Sequence, residues 1–167
     1  FFNDKVIDKK DVERKTKVPV IGFISHSEGD SDIPVADKPG SALSESFRSV
    51  RTALKYLIKE KEVSVIAVSS TISSEGKTFI SINLAAITAM LGKRVLLVGL
   101  DLRKPRINKI FEFENSPGMS SYLSSNCNYD EIIKKTQIDN LFYVPSGPIP
   151  PNPAELIETD RMKTFLE

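Results

Sequence analysis

Three runs in the middle of the chain predict an α/β fold with a mainly parallel sheet flanked by helices. Val63 to Val68, VSVIAV, is a short block of apolar and β-branched residues of the kind that forms a buried strand. Gly76-Lys77-Thr78 then opens a segment in which Phe79, Ile82, Asn83, Ala86 and Met90 recur as one helical face. Arg94 to Leu100, RVLLVGL, reads as a second buried strand, and Gly92 stops the helix before it. Strand, small-residue loop, Gly-Lys-Thr and helix in that order form a phosphate-loop arrangement, so the predicted class is P-loop NTPase-like.

The chemistry of such a loop follows from its backbone. N–H groups of the loop and first helical turn surround phosphates, and the helix dipole favours their charge. The candidate nucleotide-binding residues are Ser70, Thr71, Ile72, Ser73, Ser74, Glu75, Gly76, Lys77, Thr78 and Phe79. Lys77 is positioned to reach the β- and γ-phosphate oxygens of ATP, and Thr78 to place its hydroxyl on Mg²⁺. Thr71 stands where the common pattern G-x-x-x-x-G-K-[ST] has glycine. Asp101 follows the second strand, at the edge where open parallel sheets bind ligands. A carboxylate there, one helix after the loop, suits Mg²⁺ directly or through water.

The remaining elements are taken in chain order. Residues 1–17 are dense in both charges and read as a solvated linker with an exposed helix near Lys9 to Lys15. Pro19 to Ile24, PVIGFI, is predicted as a strand, and His26, the only histidine, as a surface loop residue. Ser27 to Gly40 is rich in Ser, Asp, Gly and Pro and reads as a loop. Ser41 or Ser44 caps a helix running to about Lys59, whose stripe Leu43, Phe47, Val50, Leu54 and Leu57 faces the core. Glu45, Arg48 and Arg51 recur every third residue on a neighbouring face, a spacing that local ion pairing explains equally well. Arg103, Lys104 and Arg106 form a cationic cluster that is either a phosphate or acidic-partner contact or a solvated helix start. Asn115 to Gly118 is a turn, Ser120 to Leu123 and Tyr129 to Lys135 are short helices, and Leu141 to Val144 is a third strand. Pro145 to Pro153 is too proline-rich for regular structure. Pro153 starts a helix with Asn152 as its cap, and Arg161 to Glu167 begins another.

Composition narrows the class further. The 167 residues suit one domain with a sizeable core, and 40% hydrophobic with 27% charged residues is ordinary for a soluble protein. A net charge of +1 gives no electrostatic argument for nucleic acid or an anionic membrane as the main partner. Cys127 is the only cysteine, so no internal disulfide forms and a reducing compartment is the default. No apolar run approaches the roughly 20 residues that span a bilayer, and no signal peptide is visible. Both ends look cut: the chain starts on Phe1-Phe2 and stops inside an apparent helix.

Several stretches coincide with one family. They are VPVIGFI, ESFRSVRTAL with its Glu-x-x-Arg-x-x-Arg spacing, AVSSTISSEGKTFISINLA, VLLVGLDLRKPRI and SGPIPPNPAELI. In these the chain resembles the cytoplasmic domain of bacterial tyrosine kinases, the P-loop autokinases of capsular and exopolysaccharide assembly. The resemblance implies residues 1–18 as a juxtamembrane linker and 19–167 as a P-loop tyrosine-kinase domain. That domain lacks the later acidic-strand motif and the tyrosine-rich tail. It implies an ATP:protein-tyrosine phosphotransferase using ATP/ADP and Mg²⁺, with Lys77 and Asp101 catalytic and Thr78 and Asp101 on the metal. It further implies self-association through the 41–59 helix by Glu45, Arg48 and Arg51, and tyrosine substrates in trans. The partner would be a transmembrane chain-length-determinant region of the same or another protein, at the cytoplasmic face of the bacterial inner membrane.

This sequence departs from the family pattern twice. Ser73-Ser74 replace the usual Pro-Gly of the loop, and Gly99 replaces the first aspartate of the usual Asp-x-Asp. Two other readings fit the same residues. One is an ATP-binding regulatory or assembly module with little kinase activity, which the single aspartate favours. The other is a partition-type P-loop ATPase, against which Ile72 stands where those proteins carry an extra lysine.

Overall fold

A computed structural model describes residues 6, 8–27, 29–58 and 63–167. The elements in chain order are α1 (Lys9–Lys15), α2 (Pro34–Asp37), α3 (Ala42–Leu57), α4 (Lys77–Ala89), β1 (Val95–Val98), α5 (Ile107–Ile110) and α6 (Met119–Leu123). They continue with α7 (Tyr129–Ile132), β2 (Lys134–Lys135), β3 (Leu141–Val144), α8 (Pro153–Ile157) and α9 (Asp160–Leu166). The sheet runs β1-β3-β2, with β1 parallel to β3 in the register Val98↔Val144 and β2 antiparallel to it.

The apolar spacing of α3 and α4 accounts for the main core. Leu43, Phe47 and Val50 of α3 are buried with Ile82, Ala86 and Ala89 of α4, and with Leu141 and Tyr143 of β3. Phe47 and Phe79 meet at 5.9 Å between ring centroids in a tilted arrangement, which fixes the two helices against each other. Ser41 caps α3 by accepting from the Ser44 N–H at 3.1 Å. A second cluster, Met119, Leu123, Ile132, Val144, Leu156 and Met162, lies under the later helices. There Arg161 stacks its guanidinium 4.3 Å over the Tyr122 ring.

The fold departs from the sequence expectations in several places; Met90, expected on the core face of α4, lies past its end and is 44% exposed, and Asn152 makes no side-chain cap of α8. Val63 to Val68 pairs in no sheet and is largely exposed, with Val63 at 75%, Val65 at 65% and Ile66 at 47% of full accessibility. A strand is defined by a neighbour to pair with, and among the described residues none lies beside it. Pro19 to Ile24 likewise joins no sheet; Ile21 and Ile24 pack on the core instead, and Gly22 lies against Val50. The segment 27–40 contains α2, whose Val35 is fully buried. Leu57 is exposed at the end of α3, where its stripe outruns the core. The helix from Tyr129 ends at Ile132, because Lys134–Lys135 pairs with β3. The expected end of α3 at Lys59 lies outside the described residues.

Candidate phosphate-loop site

The parallel pairing of β1 and β3 sets the floor of the site. Both strands end at one edge, and the Gly99 N–H extends the ladder by donating to the Val144 carbonyl at 2.9 Å. The chain leaving β1 therefore delivers Asp101 to that edge, while the chain leaving β3 delivers Pro145-Ser146-Gly147 beside it. The second loop is held by α6: Met119 N–H donates to the Pro145 carbonyl at 2.7 Å and Ser120 N–H to the Ser146 carbonyl at 2.9 Å.

Helix α4 brings the loop to this edge. Gly76 precedes it in the left-handed region, φ +88°, which glycine adopts without steric cost. No side chain caps this N-terminus, which leaves its first N–H groups available to a ligand. Lys77 Nζ lies 3.3 Å from Asp101 Oδ2. The Oδ1 atom of Asp101 accepts from the N–H of Lys104 at 2.9 Å and of Arg103 at 3.3 Å. Partial burial pushes the Asp101 carboxyl up, but the Lys104 N–H, the Lys77 ammonium and the Arg103 N–H outweigh it and hold it below its ordinary range. Asp101 is thus a carboxylate at neutral pH, already oriented.

Thr71 to Glu75 are all exposed, so the loop is open to solvent. Glu75 folds back across it, Oε2 accepting from the N–H of Thr71 at 2.8 Å and of Ile72 at 3.1 Å. Ser70 Oγ donates to the Ile72 carbonyl at 3.0 Å. Ser74 takes φ +72°, the left-handed region that disfavours a side chain. That conformation explains why glycine is the usual residue there. Thr78 makes no hydrogen bond with its hydroxyl among the described residues, whereas Phe79 turns its ring into the core against Phe47. Only the backbone of Phe79 remains for a ligand.

The site is suited to a hard cation carried with a phosphate. Its oxygen ligands would be the Thr78 hydroxyl, which has no partner among the described residues, and the Asp101 carboxylate once Lys77 turns from its Oδ2 to the phosphate; Mg²⁺ prefers one or two such ligands completed by phosphate and water. Among the described residues no group of His, Cys, Asp and Glu forms a self-sufficient metal cluster.

Gly99 also has a steric reason. A Cβ built on it would meet Ser146 Oγ at 2.7 Å, Ser146 N at 3.1 Å and the Val144 carbonyl at 3.2 Å. Further from the loop, Asn83 is fully buried on α4 and binds α2 and the loop before it. Its Nδ2 donates to the carbonyls of Asp32 and Phe79, each at 2.9 Å, and its Oδ1 accepts from Val35 N–H at 3.3 Å. Helical spacing placed Asn83 on the core face, but its partner 48 residues upstream has no local signature. The Glu75 contacts were equally hidden, since a glutamate in a loop carries no spacing rule.

The trio on α3 divides. Arg48 pairs with Glu45 and also donates to the Pro39 carbonyl at 2.8 Å. Arg51 pairs with neither; its Nη1 donates to the Ile87 carbonyl near the end of α4 at 2.9 Å. Arg103, Lys104 and Arg106 are exposed and make no side-chain ion pair among the described residues.

Fold and loop together define a phosphate-loop α/β domain. Residues 63–166 match the AAA domain family. The tyrosine-protein kinase YwqD of Bacillus subtilis is 36% identical over 126 residues, covering 75% of this chain and 53% of its own length. Among solved structures, the kinase domain of the Escherichia coli tyrosine kinase ETK superposes with a TM-score of 0.88 at 27% identity, over 95% of this chain and 66% of that one. The chimerical protein CapA2B2 superposes with a TM-score of 0.82 at 33% identity, over 95% of this chain and 68% of that one. The chain belongs to the AAA domain family, and over most of its length it is similar to bacterial tyrosine-protein kinases. It spans about half the length of YwqD.

Proposed function

We propose that this chain is the nucleotide-binding part of an ATP-dependent protein-tyrosine autokinase acting in capsular or exopolysaccharide assembly. The observation that carries the reading is the Lys77–Asp101 pair, at 3.3 Å, standing where the uncapped N-terminus of α4 meets the edge of the parallel strands. The N–H groups of Gly76, Lys77 and Thr78 and the Lys77 ammonium would hold the β- and γ-phosphates. Phosphoryl transfer needs positioning and charge neutralisation above all, and these groups supply both. Thr78 and Asp101 would hold Mg²⁺, which supplies further neutralisation of the phosphate oxygens when bound. Asp101 is ionised and would accept the proton of an incoming tyrosine hydroxyl, a role in which Gly99 leaves it without a second carboxylate. By its resemblance to the family, its substrates would be tyrosines presented in trans and its partner a membrane co-polymerase. Among the described residues no helix is long and apolar enough to cross a membrane.

A second reading is favoured by Gly99, whose site has no room for a side chain beside Ser146. A phosphate loop with one acidic group would serve an ATP-binding assembly module with little transferase activity. Incubation of the full-length protein with Mg-ATP, read by anti-phosphotyrosine blot, separates the two. Autokinase activity predicts a signal that Lys77→Met abolishes. Nucleotide binding with no phosphotyrosine overturns the kinase reading and supports the module.

A further inference from the structure

We infer that Glu75 is a positioning residue of the nucleotide site, a brace that holds the phosphate loop in its binding shape before the ligand arrives. The inference rests on the nucleotide reading of the loop and adds a residue to which the phosphate-loop pattern gives no role.

Glu75 lies between Ser74 at φ +72° and Gly76 at φ +88°, so the backbone reverses sharply on both sides of it. Its carboxylate crosses the loop and accepts from Thr71 and Ile72 N–H groups through one oxygen, at 2.8 and 3.1 Å. It has no cationic partner among the described residues. Bonds from N–H groups to an ionised acceptor are about twice as strong as neutral ones. Here they close the loop between its first residues and the residue just before Gly76.

Such a closure matters because the loop is otherwise poorly fixed. A serine in the left-handed region is strained, and released from restraint it would relax to negative φ. Relaxation would swing the N–H groups of Glu75 and Gly76 away from the phosphate position. Ordering the loop again would then be charged against ligand affinity.

A carboxylate on backbone N–H groups could instead be a plug, occupying groups that a phosphate needs. The geometry favours the brace. The occupied N–H groups belong to Thr71 and Ile72, at the far end of the loop from Lys77 and Thr78. The α4 N-terminus, where phosphate charge is stabilised, is left uncapped. The two devices have opposite signatures on affinity.

The test is calorimetric titration of Mg-ADP into the full-length protein, with thermal unfolding as the control for folding. Glu75→Ala is expected to weaken binding about tenfold, by loss of preorganisation. Glu75→Gln keeps an acceptor oxygen but loses the charge, and is expected to bind between wild type and Glu75→Ala. Glu75→Asp keeps the charge but falls one methylene short, and is expected to behave like Ala. In a Ser74→Gly background, where the strain is gone, the loss on Glu75→Ala is expected to shrink to about threefold. Amide exchange at Thr71 and Ile72 in the ligand-free protein is expected to speed up most in the Ala variant and less in the Gln variant. Unchanged or tighter binding by Glu75→Ala overturns the brace while leaving the nucleotide site standing. A folded wild-type protein that does not bind Mg-ADP overturns both.

Discussion

Lys77 and Asp101 are 24 residues apart in sequence, and their side chains meet at 3.3 Å across the mouth of the candidate site. One comes from the first turn of a helix and the other from the end of the strand that follows it. Their meeting needs the α4–β1 crossover, so it tests the fold as well as the site. Each side chain is about a third exposed, 35% for Lys77 and 38% for Asp101, so the pair orients far more than it stabilises.

That pair has an acid signature. The folded carboxyl of Asp101 lies below its unfolded value of 3.8. Its contribution is therefore present above that value and is lost as pH falls through the lower native one. Urea midpoints of the ligand-free protein should fall more steeply for wild type than for Asp101→Asn between about pH 5 and pH 2. The difference should stay below about 1 kcal/mol because solvent screens the pair. Parallel acid limbs would mean that Asp101 gains nothing from its neighbours.

Asn83 gives the largest stability prediction. Asn83→Ala strips the Val35 N–H of its buried partner and frees α2 from α4. Leaving buried polar groups unmade costs about 1–3 kcal/mol. A drop of that size in the urea midpoint, with the circular-dichroism spectrum of the native state kept, is the expected result. Asn83→Asp should be no better, because it loses the Nδ2 donor that serves Asp32 and Phe79.

Much of this architecture is legible from local pattern, and the failures share one cause. Helix α3 with its Ser41 cap, helix α4, and strands β1 and β3 all follow from apolar spacing and caps. Each is decided within its own residues. Val63 to Val68 has an equally strong apolar signal, yet it lacks a paired neighbour among the described residues. Helix α2 is hidden in polar, proline-containing sequence because its reason to exist is Asn83, far along the chain. The loop residues are likewise legible as a motif, while the partners of Glu75 and the φ of Ser74 are not. Spacing indicates which residues share a face; it does not indicate which distant group they meet.

The unpaired segment makes a direct prediction for hydrogen exchange. Amides of Val65 and Ile66 should exchange at rates near those of an unstructured chain, whereas Leu97, in the β1–β3 ladder, should be protected by orders of magnitude. Slow exchange at Ile66 in the isolated chain would show that the segment has found a strand to pair with. A second copy could supply one, and dilution would then restore fast exchange.

Gly99 is held by its surroundings. Gly99→Ala drives a Cβ against Ser146 Oγ and two backbone atoms, an overpacking that costs about 1–3 kcal/mol. Ser146→Ala removes the closest of those atoms, at 2.7 Å, and should recover part of the loss. Gly99→Asp, introduced to rebuild the usual acidic pair, should therefore lower stability before it can raise any phosphotransfer rate. A Gly99→Ala variant as stable as wild type would show that the strands part easily here.

The last prediction concerns the exposed face of α3. Glu45, Arg48, Ser49, Thr52, Ala53 and Tyr56 line a shallow groove there, with Tyr56 at 85% accessibility. Exposed tyrosine beside a carboxylate–arginine pair is the composition of a heterologous contact, where aromatic and Arg anchors carry the energy. Self-association of the full-length protein through this face is expected at high concentration. Arg51 is a poor probe of it, since Arg51 already serves the Ile87 carbonyl, and its loss would loosen α3 from α4. Arg48→Ala also disturbs a link to Pro39. Glu45→Arg and Tyr56→Ala touch the exposed face with less damage to the fold, so they are the cleaner pair. Each should lower the association constant by about tenfold or more, with the melting temperature and nucleotide affinity kept. Light scattering over a concentration series reads the result. If both variants associate as wild type does, Glu45 and Arg48 are left with their local roles in α3 and no others.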